Sequence, residues 1–175
     1  RLNFWRPLTE NDWGANFDQN LAVWKTAGER ARPTKFSVRT LSDRVNFPVI
    51  VEAEYAIPAN DSTAAVSYEI WPDGAIFVDA KISLAKNLPM APRVGFQFNA
   101  DAGMDKREWY GKGPFENYSD RKEGCWTGRF SEKIADGFFP YILPQDSSNV
   151  TEVREASLYG RGELKISSQK GRLFE

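Results

Sequence analysis

From Val49 to Leu84, apolar side chains recur at every second position. Val49, Val51, Ala53, Tyr55 and Ile57 share one face, while Glu52 and Glu54 point to the other. Val66, Tyr68 and Ile70 then alternate with Ser67 and Glu69, and after Pro72-Asp73-Gly74 the residues Ile76, Val78, Ala80, Ile82 and Leu84 alternate with Phe77, Asp79, Lys81 and Ser83. A period of two is the repeat of a strand with one face on a core, and Pro-Asp-Gly is turn chemistry, so the stretch predicts a strand followed by a β-hairpin. Val94, Phe96 and Phe98 repeat the pattern, as do Leu164 and Ile166. The connections are too short for crossover helices, which makes the strands antiparallel and the fold class all-β.

One segment has helical spacing. Phe17, Leu21 and Trp24 fall at i, i+4 and i+7, with Asn20 as a candidate N-cap and Gly28 where a C-terminal cap would sit. This predicts one short helix near the N-terminus. Across the 175 residues no repeat, low-complexity tract or linker divides the chain, so it reads as a single domain or a continuous part of one.

The chain contains no histidine. That removes Ser-His-Asp and Cys-His nucleophile systems, a histidine general base, and histidine-ligated zinc or haem. A single cysteine, Cys125, closes neither an internal disulfide nor a multi-cysteine metal site, and is expected to be a small buried side chain. With 23 basic and 24 acidic residues the net charge is −1, so nucleic acid is not an expected partner. No apolar run approaches the ~20 residues that cross a bilayer, and Arg1-Leu2-Asn3-Phe4-Trp5 opens no signal peptide, so a soluble chain without a membrane partner is expected.

Two segments crowd aromatic and polar residues together: NFWRPLTENDWG at 3–14 and WYGKGPFENYSDR at 109–121. In the second, Gly111 and Gly113 permit a tight turn, Pro114 fixes one φ, and Glu116, Asn117, Tyr118, Asp120 and Arg121 follow at once. Carboxylate, amide and guanidinium groups hydrogen-bond vicinal hydroxyls, and aromatic faces stack on sugar rings, so these residues are candidate carbohydrate contacts. The alternative is structural: Arg121 bridges Glu116 or Asp120 and holds a corner of the sheet, Asn11 and Asp12 satisfy turn backbone, and Phe4, Trp5 and Trp13 belong to the core. Gly111-Lys112-Gly113 is not a dinucleotide fingerprint, because the third glycine is missing.

These segments resemble the C-terminal small-chain domain of glycoside hydrolase family 2 β-galactosidases. Residues 3–14 are similar to the family's N-F-W-R-A-P-T-D-N-D-x-G, and NLAVWKTAG at 20–28 to its W-x-x-A-G helix. GKGPFENYSDR at 111–121 matches G-x-G-P-x-E-N-Y-x-D-R, and FPYILPQDSSNVTEVR at 139–154 is similar to P-Y-x-x-P-Q-E-N-G-N-R-T-D-V-R. Pro7 comes one position early, Glu10 replaces an Asp, Ser147-Ser148 disturbs the Asn-Gly, and Glu155 stands where a Trp is usual. Such departures mark a divergent member.

The resemblance implies an antiparallel β-supersandwich of the galactose mutarotase type. It also implies a truncated domain over residues 1–175, with C-terminal strands missing and an unpaired sheet edge near residues 160–175. The family's two catalytic glutamates lie on a preceding (β/α)₈ barrel, so this chain is expected to be non-catalytic, with no cofactor of its own. Magnesium and sodium are used in other domains of the family. The implied partners are that barrel and the parent's other domains, and through them a galactoside such as lactose; the parent is expected to be a homo-oligomer of bacterial cytoplasm or periplasm. Asn11, Asp12 and Gly14 are the implied active-site rim, with Gly14 as hinge. Glu116, Asn117, Tyr118, Asp120 and Arg121 are implied carbohydrate contacts or a structural loop. Two further readings stay open: a carbohydrate-binding module, and an aldose 1-epimerase-like enzyme, whose fold-mates need the histidine that is absent here.

Overall fold

The computed structural model describes residues 1–42 and 46–168. It divides into two compact units, one formed by Arg1–Pro7 with Asp12–Phe98 and the other by Leu8–Asn11 with the residues from Asn99 onward. Antiparallel strands dominate both, as the alternation predicts.

In the first unit, β1 (Leu2–Asn3) is followed by α1 (Glu10–Gly14), of which Glu10 and Asn11 count with the second unit, and by α2 (Phe17–Asn20) and α3 (Ala22–Lys25), each a single turn. Strands β2 (Arg32–Thr40), β3 (Val49–Ile57), β4 (Ser62–Ile70) and β5 (Ile76–Ser83) form a meander in the order β2-β3-β4-β5, and β6 (Gly95–Phe96) pairs with β1. The expected hairpin is present: Ile70 faces Ile76 across the turn, Gly74 takes φ 90°, and the Asp73 carboxylate accepts the Ala75 N–H at 2.9 Å.

Register explains the two faces of this sheet. Ala53 opposes Val66, which opposes Ala80, so the apolar sets of β3, β4 and β5 fall on one side. At one end of that side Ile57 and Ala64 join Leu2, Phe4, Leu21, Trp24, Ala27 and Ala59 in the core. The Phe4 and Trp24 rings lie 5.6 Å apart, and the Trp24 indole N–H donates to the Pro89 carbonyl at 2.9 Å, which satisfies its one polar atom. The opposite side is charged, with Lys35 paired to Glu54 and Arg39 to Glu52. Toward the other end of the apolar side Phe36, Val38, Ile76 and Val78 remain exposed.

The single helix expected around residues 17–28 is broken. Asn16 sits in the left-handed region and Leu21, at φ −111°, interrupts the spiral, so α2 and α3 each make one turn. Asn20 ends α2 instead of capping a helix, and Gly28 caps nothing. Its role is close approach: a Cβ there would lie 2.3 Å from the Leu2 carbonyl oxygen. The i, i+4, i+7 spacing still brings Leu21 and Trp24 into the core.

In the second unit, β7 (Lys106–Gly113), β8 (Trp126–Lys133), β9 (Glu155–Tyr159) and β10 (Glu163–Ser167) pair in the order β10-β9-β7-β8, with a 3₁₀ turn at Ile134–Gly137. Gly111 and Gly113, which from the sequence permit a tight turn, instead lie within β7. Gly111 and Gly113 are there for packing and not for a turn, because a Cβ would lie 2.8 Å from the Val153 Cα in the first case and 2.5 Å from the Phe130 ring in the second. Trp109 is buried beside Phe130, with ring centroids 5.5 Å apart. Cys125, expected to be buried, is half-buried, and its thiol lies 3.9 Å from the Phe115 carbonyl oxygen. Strand β10 is an edge of this sheet among the described residues, and residues 169–175 of the expected unpaired edge lie outside them.

Candidate functional site

In the first unit, Arg6 and Asp12 bracket the chain segment 7–11. Arg6 donates two hydrogen bonds to the Asp12 carboxylate, at 2.5 and 3.0 Å, and a third to the Pro7 carbonyl at 2.9 Å. Such bidentate guanidinium–carboxylate pairs are strong and directional. Both oxygens of Asp12 are thus occupied in a residue only 5% exposed. Gly14 ends α1 in the open, where a Cβ would meet nothing within 4 Å, and Trp13 beside it is 55% exposed.

In the second unit, the residues after β7 turn back on themselves. The peptide Gly113-Pro114 is cis, Tyr118 and Arg121 form an isolated bridge, and the Arg121 N–H donates to the Tyr118 carbonyl at 3.0 Å. Glu116 is a hub. One carboxylate oxygen accepts from the Tyr141 hydroxyl and from Arg121 at 3.0 Å; the other accepts the Ser148 N–H at 2.7 Å. Burial pushes the Glu116 carboxyl up, but the bonds from Tyr141, Ser148 and Arg121, together with the Arg121 charge, outweigh it and hold it below the usual range. The Arg121 guanidinium also lies 4.5 Å from the centroid of the Tyr118 ring. Burial, and then the negative charges of Asp146 and Glu116, push the Tyr118 hydroxyl up to about 12.

Asn117 is fully buried and works as a clasp. Its amide donates to the carbonyls of Phe115 at 2.8 Å and Lys112 at 3.3 Å, and its side-chain oxygen accepts from the N–H and hydroxyl of Thr151. Its own backbone exchanges two bonds of 2.8 Å with Asn149. A third connection reaches the N-terminal segment, where the Glu10 N–H donates to the Pro144 carbonyl at 2.8 Å. Residues 8–11, 111–121 and 139–154 therefore belong to one hydrogen-bonded assembly.

Of the sequence-predicted residues, Glu116, Asn117, Tyr118 and Arg121 come together, and Asp120 stays exposed at the turn. Asn11 is exposed in the second unit, whereas Asp12 and Gly14 belong to the first. Tyr141, Ser148 and Thr151, which complete the assembly, were assigned no role from the sequence; the signal was the PYILPQDSSNVT stretch itself, whose Tyr, Ser and Thr supply the bonds. Among the described residues no group of three or more Cys, Asp or Glu could hold a metal, and no helix is long and apolar enough to cross a membrane.

A sequence model described as β-galactosidase small chain matches residues 1–172. The chain belongs to that family. It is 32% identical over 167 residues to a β-galactosidase of Priestia megaterium, covering 94% of this chain and 16% of the relative. It is 33% identical over 169 residues to a β-galactosidase of Lactobacillus delbrueckii subsp. bulgaricus, covering 95% and 16%. With a β-galactosidase of Streptococcus thermophilus it shares 31% over 156 residues, covering 89% and 15%. The small chain thus spans about one sixth of the length of the curated relatives it matches. The matched span includes the Glu116 hub and the Asn117 clasp.

Proposed function

We propose that this chain is a non-catalytic accessory domain of a larger, retaining β-galactosidase that hydrolyses terminal β-D-galactosides such as lactose. It packs on the catalytic barrel and shapes the rim of the active site through Asn11, Asp12 and Gly14, in a parent that is a homo-oligomer. Magnesium and sodium, where the parent uses them, are held by other domains, and a bacterial cytoplasm or periplasm is its setting.

A retaining glycosidase needs two carboxyl groups about 5–5.5 Å apart, one free to attack and one to shuttle a proton. The observation that carries the proposal is that the shielded carboxylate of each motif segment is already engaged, Asp12 by Arg6 on both oxygens and Glu116 by Tyr141, Arg121 and Ser148, while Glu10 and Asp120 stand exposed. Asp12 and Glu116 serve the fold. The short share of each relative that the chain spans supports the same reading. The engagement of Glu116 and Arg121 also weighs against a carbohydrate-binding module built on residues 116–121. The epimerase reading lacks its histidine.

The test is turnover of a nitrophenyl galactoside by the purified 175-residue chain, with none expected. Hydrolysis that a single Glu or Asp substitution in this chain abolishes would overturn the proposal.

A further inference from the structure

The segment 138–143, Phe-Phe-Pro-Tyr-Ile-Leu, has the composition of a core and the exposure of a loop. Phe138 is 67% exposed, Phe139 57% and Leu143 49%, and Ile142 is fully exposed. The run is not loose. Tyr141 turns inward to donate its hydroxyl to Glu116, and its ring packs on Phe139 with centroids 4.6 Å apart. Just beyond, the Pro144 carbonyl accepts the Glu10 N–H at 2.8 Å and Ser148 donates to Glu116 at 2.7 Å. Pro140 and Pro144 restrict the backbone further. These contacts therefore tether the backbone of a run that presents four large apolar side chains to water, which lowers the ordering cost of placing them in a recess.

We propose that residues 138–143 are a docking element, and that its occupant is an apolar recess on the part of the same polypeptide that lies outside these 175 residues in the larger protein. The proposal rests on the accessory-domain reading and names its contact. Two observations select that occupant. A stable interface between separate molecules takes roughly 20–30 residues a side, far more than a six-residue run supplies. A covalently joined partner needs much less, because linkage raises its effective concentration, and about five-sixths of each relative lies outside the matched region.

The experiment uses the full-length product of the gene with a photoreactive phenylalanine in place of Ile142. Irradiation is expected to link position 142 to a peptide outside residues 1–175 of the same molecule. A link to a second copy, a link within these residues, or no link would overturn the proposal. As a second measurement, Ile142→Asp is expected to leave the melting temperature of the 175-residue chain unchanged and to lower that of the larger protein by several degrees. Equal melting of variant and parent in both would overturn it. Neither readout depends on whether the isolated chain turns over substrate, so failure here is distinguishable from failure of the accessory-domain reading.

Discussion

Thr151 donates both its backbone N–H and its hydroxyl to the side-chain oxygen of Asn117, at 2.9 and 2.6 Å. The two residues lie 34 positions apart, and both are buried. Unsatisfied buried groups each cost about 1–3 kcal/mol, so removing the whole amide is far worse than removing one hydroxyl. Asn117→Ala is expected to destabilise the chain by about 3 kcal/mol and Thr151→Val by about 1 kcal/mol. Urea unfolding midpoints of the two variants check the ranking, which equal losses would contradict.

Acid should weaken the Glu116 hub. The folded carboxyl titrates below its ordinary value of 4.5, so its contribution to stability is present above that pH and is lost as pH falls through the lower folded value. Glu116→Gln is expected to be less stable than the parent at neutral pH and to show a shallower loss of stability below pH 4.5. Melting temperatures across that range measure it; parallel curves for the two proteins would contradict the assignment.

At the alkaline end the sign reverses. Tyr118 is raised from 10.0 to about 12 in the folded chain, so its protonated form contributes stability fully below pH 10, and this is lost as pH rises toward 12. Ultraviolet titration is expected to show Tyr118 ionising well after the bulk, with Tyr68, whose hydroxyl burial also raises, titrating late as well. In Tyr118→Phe the late step should lose one tyrosine.

Two glycines provide opposite tests of why glycine is present. Gly28→Ala would force a methyl to within 2.3 Å of the Leu2 carbonyl oxygen, and a backbone that must shift costs about 1–3 kcal/mol. Gly14→Ala meets nothing within 4 Å and lies in a helix, where alanine is favoured by up to about 1 kcal/mol. Calorimetry on the pair is expected to show a lower melting temperature for the first and an equal or higher one for the second. Should Gly14 also serve as hinge, its variant will alter turnover in the larger protein while leaving stability intact.

Period-two alternation is a local property of a strand on a core, and it located β3, β4, β5 and the Pro72-Asp73-Gly74 turn from residues 49–84 alone. Helical spacing at Phe17, Leu21 and Trp24 identified which side chains enter the core but not the break, because φ at Asn16 and Leu21 is set by the surrounding packing. Glycine misled at 111 and 113 for a related reason: a close neighbour selects for it as strongly as a turn does, and only the folded chain reveals Val153 and Phe130 there. Within the candidate site, the Arg121–Glu116 pair was legible because its members lie only five positions apart. Tyr141 and Ser148 lie 25 and 32 residues beyond Glu116, and no local pattern announces a contact at that separation.

The burial of Asn117 bears on how the protein can be made. Asn117-Tyr118-Ser119 fits the acceptor triplet for N-linked glycans, which secretory hosts attach while the chain is still unfolded. A glycan on that nitrogen would occupy the amide that must reach Phe115 and Lys112 inside the fold, so a glycosylated molecule could not close its clasp. Production in a compartment without that modification avoids the trap, whereas Ser119→Ala removes only the Asn117 triplet and leaves Asn149-Val150-Thr151, whose Asn149 amide donates to the Asn117 carbonyl.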